Sequence, residues 1–355
     1  MYLTLLFLLL FQPLTFAEIE GEDSYKRNLN YVTDFYYLKK AGTSGQFENI
    51  GLLTFEGEYT RDNLIMHGSF MINHSTGSPS SYLSDIQVAS NIDTQGGEGL
   101  KPYQAFIDYS FLSNFSMRAG LIDLSTFLNI TESSMILINS SFGTSAEFGA
   151  AGRFGPAIYP IPSWGLILSH QIERLYSTFS ITDPVSESEL DASNMVVRPE
   201  LDRHHHNIAL EIGLLDGFFK KVALGFWKLR DRGENQEFQE RGGYLLLDKR
   251  LGRHSAFVRL SRSSKEVDKM YQNIALGFVY QSLFMGSDSL HMGVSSVSIE
   301  GKLQKENVFE LLYNKDFDHF STSLSYQGID NLGGLNEVGN MITLRLSLDL
   351  KDFGL

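Results

Sequence analysis

The 355-residue sequence has no cysteine. This excludes a disulfide framework, a CxxC redox motif, a cysteine nucleophile and cysteine-ligated zinc. Basic residues are in deficit: 29 Lys and Arg stand against 42 Asp and Glu, for a net charge of −13. A chain of that sign lacks the extended basic face that nucleic-acid phosphates require, so nucleic acid is excluded as the main partner. Past the first 17 residues there is no run of about 18 consecutive apolar residues, the length a transmembrane helix needs. The mean hydropathy of −0.11 is likewise too polar for a helical membrane protein. Tryptophan is scarce, at two residues. The remaining composition, 43% hydrophobic and 12% aromatic, is too apolar for a disordered acidic chain.

The N-terminus reads as an export signal. Residues Tyr2 to Phe16 are almost uninterruptedly apolar, Pro13 breaks the end of the run, and Thr15-Phe16-Ala17 offers a small-x-small cleavage site. No Lys or Arg precedes the run, so the α-amino group is its only positive charge; a single membrane anchor is the alternative reading. Cleavage would leave residues 18–355 as one domain starting at Glu18.

That domain alternates apolar and polar residues almost throughout, the period of a β-strand with one face in each environment. Ile342, Leu344, Leu346, Leu348 and Leu350 share one face; Met341, Thr343, Arg345, Ser347 and Asp349 share the other. Tyr103, Ala105, Ile107, Tyr109 and Phe111 oppose Gln104, Phe106, Asp108 and Ser110. The pattern predicts sixteen strands, near 29–39, 47–59, 63–73, 102–112, 115–122, 164–172, 175–181, 206–215, 218–228, 241–251, 255–262, 271–281, 289–297, 306–314, 318–327 and 338–350. Short connections such as Arg61-Asp62, Glu173-Arg174 and Asp216-Gly217 alternate with longer ones, of which 74–101, 123–163 and 182–205 are very long. Keeping all long loops at one end is the habit of a bacterial outer-membrane barrel, with short periplasmic turns and long extracellular loops. Closure also satisfies every backbone group in lipid, which an open sheet cannot do. The predicted fold class is therefore all-β: a single transmembrane antiparallel barrel of about sixteen strands, with apolar side chains facing lipid and polar ones lining water.

Several clusters carry candidate chemistry. Asp85, Gln87, Asn91 and Asp93 sit in the first long loop with the spacing of a polar lining; ordinary turn chemistry is the alternative for each. Asn139, Ser140 and Ser141 lie in the longest loop, and a loop of that length without structure of its own is usually functional. Tyr159 and Trp164 offer rings for stacking on a solute, although Trp164 equally suits an interfacial girdle. A three-residue turn at Leu112-Ser113-Asn114 pairs Phe111 with Phe115, Tyr109 with Met117, and Asp108 with Arg118 on the inward face. The run His204-His205-His206 alternates sides on a strand, so its rings cannot converge on one ion, and no metal or cofactor is expected. His67 and Ser69 share a strand face, as in lipid-hydrolysing barrels, but side chains at i and i+2 stand roughly 6–7 Å apart, beyond a nucleophile–base contact. No catalytic residue is expected.

The central region resembles a known family. Tyr82-Leu-Ser-Asp85-Ile-Gln87-Val-Ala-Ser90-Asn91-Ile-Asp93, Tyr109-Ser-Phe111-Leu112, Arg118-Ala-Gly120-Leu-Ile-Asp123 and Ile138-Asn139-Ser140-Ser141-Phe142-Gly143-Thr144 occur in that order, followed by Tyr159-Pro160 and Gly165. This is similar to the carbohydrate-selective, OprB-type porins of Gram-negative outer membranes, most strongly over 30–180. The resemblance implies a sixteen-stranded porin that passes sugars by diffusion, with inward-folded loops narrowing the pore and Asp85, Gln87, Asn91, Asp108, Arg118, Asn139 and Ser140 along the path. The implied partners are permeating sugars, outer-membrane lipid, the assembly machinery and further copies of the chain. A general porin, a barrel-borne hydrolase and a secreted β-rich binding protein are the competing readings.

Overall fold

The computed structural model describes residues 23–94, 99–185, 199, 202–232, 237–264, 269–284 and 286–350. The leader, 1–17, lies outside them, as do 351–355 and much of the third long loop.

Sixteen antiparallel strands close into a barrel. They are β1 (Ser24–Lys40), β2 (Gln46–Arg61), β3 (Leu64–Ser75), β4 (Gly99–Leu112), β5 (Phe115–Ile122), β6 (Ser163–Ile172), β7 (Leu175–Thr182), β8 (His206–Leu215), β9 (Lys221–Arg232), β10 (Glu237–Leu251), β11 (His254–Ser263), β12 (Met270–Gln281), β13 (Asp288–Ile299), β14 (Glu306–Asp316), β15 (Phe320–Asp330) and β16 (Val338–Asp349). Each strand pairs with its sequence neighbours, and β1 meets β16 from Asn30↔Asp349 to Lys40↔Gly339, so no edge is left open. The expected all-β barrel is present, its strands close to the expected positions.

The outward face follows the predicted alternation. Ile342, Leu344, Ile212, Leu214 and Leu276 are exposed, while Met341, Thr343, Glu211 and Ala275 behind them are buried. Two irregularities in β4 change the predicted phase. The register shifts between Gly68 and Phe70 of β3, so that Ser69 faces both Tyr103 and Gln104. Tyr103 therefore leaves the lipid face assigned to it by alternation and turns inward, where its hydroxyl donates to Asp123. The register shifts again between Ser110 and Leu112: Leu112 pairs with Phe115 across a two-residue turn, and Phe111 is extra. The three-residue turn and the Phe111–Phe115 pair are thus corrected, yet Tyr109↔Met117 and Asp108↔Arg118 are found as expected, because one bulged residue shifts the register as a longer turn would.

The inward face departs from a simply polar lining. Tyr36, Phe257, Ala275, Val308, Leu312, Ile329 and Met341 point inward and form one buried cluster with Leu83, Ala89, Ile92, Leu137, Ile138 and Phe142. A second cluster joins Ile167, Ala209, Trp227, Tyr244 and Leu246 to Leu124, Leu128, Phe148 and Ala157. The loop members belong to the β3–β4 and β5–β6 connections. The barrel is apolar inside wherever those loops pack on it, since burying apolar area is worth about 25 cal/mol per Å².

Candidate functional site

The candidate site is the barrel interior, into which these two loops fold. A loop folded into a barrel carries backbone N–H and C=O groups away from water, and each needs a partner. The wall supplies them by charge. Glu310 on β14 accepts from the N–H groups of Ile138 and Asn139 at 2.9 and 3.0 Å, and from the Ser325 hydroxyl. Asp248 on β10 accepts from the Ser133 N–H and hydroxyl, at 3.1 and 2.6 Å. Glu211 on β8 takes the Asn129 N–H at 2.9 Å, the hydroxyls of Tyr176 and Tyr244, and the Lys221 ammonium at 2.9 Å. Glu306 on β14 accepts from the N–H groups of Ile86, Gln87 and Gly333.

Carbonyls go to cations. Arg259 on β11 is fully buried, and its guanidinium donates to four loop carbonyls. Nη1 reaches Ser141 and Phe142, each at 3.0 Å; Nη2 reaches Asn129 and Gly143, each at 2.8 Å. The planar fork of five donors suits this convergence in a way a lysine does not. Close packing completes the docking. A Cβ on Gly293 would sit 2.7 Å from the Phe142 ring and 2.8 Å from Leu137 Cδ1, so β13 uses glycine where the loop lies against it.

The two loops also hold each other. Asn91 N–H donates to the Ile138 carbonyl at 2.8 Å, Ser140 N–H to the Val88 carbonyl at 3.0 Å, and Asn91 Nδ2 to the Leu137 carbonyl at 3.3 Å. Arg345 on β16 forks onto Asp34 of β1 at 2.7 and 2.8 Å and adds Asn91 Oδ1 at 2.8 Å, while the Ser90 hydroxyl donates to Asp34. Gln327 on β15 spans both loops, donating to the Ala89 carbonyl and accepting from Asn139 Nδ2.

The residues predicted from sequence are thus distributed over two environments. Asp85, Gln87 and Asn139 are buried, and Asn91 and Ser140 are half-buried. Gln87 is bonded to Glu306, Asn139 to Gln327, Asn91 to Arg345, and the Ser140 N–H to Val88. For Asp85, burial first and the nearby Glu306 carboxylate second push the carboxyl up to about 7, against smaller opposing pulls from Ser80 and Ala89. Asp108 and Arg118 lie apart from this brace, on the wall of β4 and β5, with side chains 13% and 20% exposed. Arg118 Nη2 is 2.5 Å from Asp108 Oδ2. The guanidinium carbon lies 4.2 Å from the Phe106 ring centre and 4.1 Å from that of Phe127, which comes from the first turn of the β5–β6 loop. The His67 ring also stacks on Phe106, at 4.6 Å between centres.

Tyr159 is inside, its hydroxyl donating to the Ile92 carbonyl at 3.0 Å; Trp164 is exposed on the outward face. The Ser69 hydroxyl accepts the Gln104 N–H at 3.0 Å, and it has no hydrogen bond to His67. The three consecutive histidines take separate partners: His204 faces Glu237, His205 faces Asp231, and His206 Nδ1 meets the Asp202 carbonyl. Sequence reasoning missed Arg259, Glu310, Glu306, Glu211 and Asp248; the available signal was a buried-type charge beside apolar inward residues on the same strands.

No protein-family model and no curated protein matches the chain. Solved structures do. OprB of Pseudomonas putida, in a high-pH structure, superposes with a TM-score of 0.79 at 12% identity, over 92% of this chain and 94% of that one. The anion-selective porin from Comamonas acidovorans gives 0.61 at 12% identity over 92% and 100%. A multiply substituted Rh. blastica porin gives 0.57 at 12% identity over 92% and 100%. The likeness to OprB-type porins suggested by residues 82–165 is therefore present in three dimensions, and the chain has the sixteen-stranded fold of these porins.

Proposed function

We propose that the protein is an outer-membrane porin, exported by residues 1–17, through which carbohydrates diffuse past a constriction formed by the β3–β4 and β5–β6 loops. The observation that carries this reading is the Arg259 anchor. It fixes the longest loop inside the barrel through four carbonyls, so the free cross-section is set by a built element. A channel rather than an enzyme fits the wall chemistry: the buried charges are engaged in bracing.

Sugar preference is assigned to the group on β4 and β5. A sugar hydroxyl both donates and accepts, and the Asp108–Arg118 pair offers an acceptor beside a donor. Phe106 and Phe127 add apolar faces next to it. Contacts of this kind exchange for hydration water yet stay weak enough for exit. Among the candidate lining residues, Asp108 and Arg118 contact the solute, while Asp85, Gln87, Asn91, Asn139 and Ser140 act through the loops they hold. Solved structures resembling this barrel include a porin described as anion-selective, so the scaffold does not decide selectivity and the wall residues must.

Liposome swelling tests the proposal. Glucose should enter faster than amino acids of equal size, and Arg118→Ala should lower the glucose rate severalfold. Equal rates for both solutes would leave a general porin. Unchanged glucose flux in Arg118→Ala with altered ion selectivity would reject the sugar role of the pair.

A further inference from the structure

The turn between β10 and β11 reads Lys249-Arg250-Leu251-Gly252-Arg253-His254, three full positive charges and a histidine in six residues of a chain with net charge −13. Among the described residues no carboxylate lies within ion-pair distance of Lys249, Arg250 or Arg253. Charges at other short turns are mixed or opposed: Arg61 meets Asp23, Glu173 adjoins Arg174, and Lys220 pairs with Glu132. Unopposed positive charge is thus concentrated at one hairpin.

Its surroundings are those of a lipid-facing surface. Lys249 pairs across the ladder with Ala256, one residue out of phase with Asp248↔Phe257, whose side chains are buried inside; Lys249 therefore lies on the outer face. Its ammonium sits 3.4 Å above the ring centre of Phe218, a turn residue that is 79% exposed, and 5.4 Å from that of Phe219. One strand along, the His254 ring stacks on Tyr280 at 4.2 Å, and the Arg253 guanidinium lies 5.8 Å from the same tyrosine. His254 Nδ1 accepts the Gln281 N–H at 3.2 Å, which fixes the ring beside Tyr280 and leaves Nε2 as its second polar atom. Beyond this edge the outer face continues as exposed Leu224, Phe226, Leu251, Leu260 and Leu276. An apolar wall ending in rings and long-stemmed cations is the arrangement that holds an acyl chain below and a headgroup phosphate above.

We propose that the β10–β11 hairpin is a binding site for an anionic phospholipid, whose phosphate sits among Lys249, Arg253 and His254 while its chains run along β9–β12. This rests on the reading of the barrel as membrane-spanning. The rings of Phe218 and Tyr280 hold the cations at the edge without neutralising them, leaving the charge for the lipid. A basic side chain near a lipid surface favours an anionic headgroup by about fivefold.

Native mass spectrometry of the full protein in detergent, offered phosphatidylglycerol and phosphatidylcholine, tests the site. The natural protein should retain phosphatidylglycerol on the order of tenfold better or more. The Lys249→Ala/Arg253→Ala variant should lose that preference, whereas Lys249→Arg should keep it. Heat-modifiable migration on a gel reports that each variant is a folded barrel. A folded double variant that still prefers phosphatidylglycerol overturns the proposal, as does a natural protein with no preference. Displacement of the lipid by millimolar inorganic phosphate would make this a free-phosphate site and overturn the lipid assignment. Failure of the natural protein to insert into vesicles would defeat the membrane reading itself, an outcome distinct from lost lipid preference.

Discussion

On the proposed reading of the barrel as a channel, Arg259 is the residue whose removal should most directly open it. Arg259→Met keeps an unbranched apolar stem of similar reach and deletes the charge. Four carbonyls, of Asn129, Ser141, Phe142 and Gly143, then lose their donor inside the barrel. The Glu147 carboxyl also loses a stabilising neighbour; burial already pushes it up, and bonds from Ser261 and Ser145 oppose that only in part. Removing one partner of a buried charged network costs roughly 3–5 kcal/mol. That moves the balance between docked and undocked loop by about 100- to 5,000-fold. The strand ladder is untouched, because the backbone pairs Arg259↔Leu246 and Arg259↔Ala275 do not involve the guanidinium. Single-channel recording in planar bilayers should therefore show higher and noisier conductance from a barrel that remains heat-modifiable. Arg259→Lys should fall between, since an ammonium cannot fork onto two pairs of carbonyls. A folded Arg259→Met channel with natural conductance and a quiet open state would refute the claim that this anchor sets the constriction.

Other consequences can be checked in the same preparations. Gly293→Val places a side chain where Phe142 and Leu137 already sit, so it should displace the long loop and raise conductance while the barrel still forms; natural conductance would mean that the wall yields instead. Asp85 has a carboxyl raised to about 7 in the folded loop, so the docked loop is favoured in full below the ordinary carboxylate range. That contribution falls as pH rises from about 4 toward 7 and changes little above. Channel noise should rise over that interval, and Asp85→Asn should flatten the dependence; an identical pH profile in the variant would sink the assignment.

Strand number and closure were legible because a barrel whose two faces meet different surroundings imposes period-2 alternation, as at Ile342 to Leu348 against Met341 to Ser347. The pairing of Asp108 with Arg118 was legible too, although through the wrong turn, because the bulged Phe111 has the same effect on phase as a third turn residue. The role of each inward charge was not. Arg118 and Arg259 are both arginines at inward positions of a strand, and no local pattern separates them. One meets an aspartate 10 residues away, while the other meets carbonyls 116 to 130 residues away. Nor does alternation tell that inward Phe257 and Leu312 face a loop rather than water. Tyr103 failed for a local reason, the bulge opposite Ser69, which reverses the phase of one residue.

The attachment of the first long loop to the last strand bears on the order in which the molecule is made. Arg345 reaches Asn91 across 254 residues of chain and Asp34 across 311. Glu310 and Gln327 reach Ile138 and Asn139 over distances nearly as long in sequence, 172 and 188 residues. Synthesis from the N-terminus therefore delivers Leu137, Ile138 and Phe142 long before the strands that cover them exist. Until β14–β16 arrive, these apolar side chains have no cover from that part of the wall, a period in which non-native association competes. Contacts of such sequence separation form late and slowly. The packed interior therefore depends on contacts that can close only once the final strands are in place.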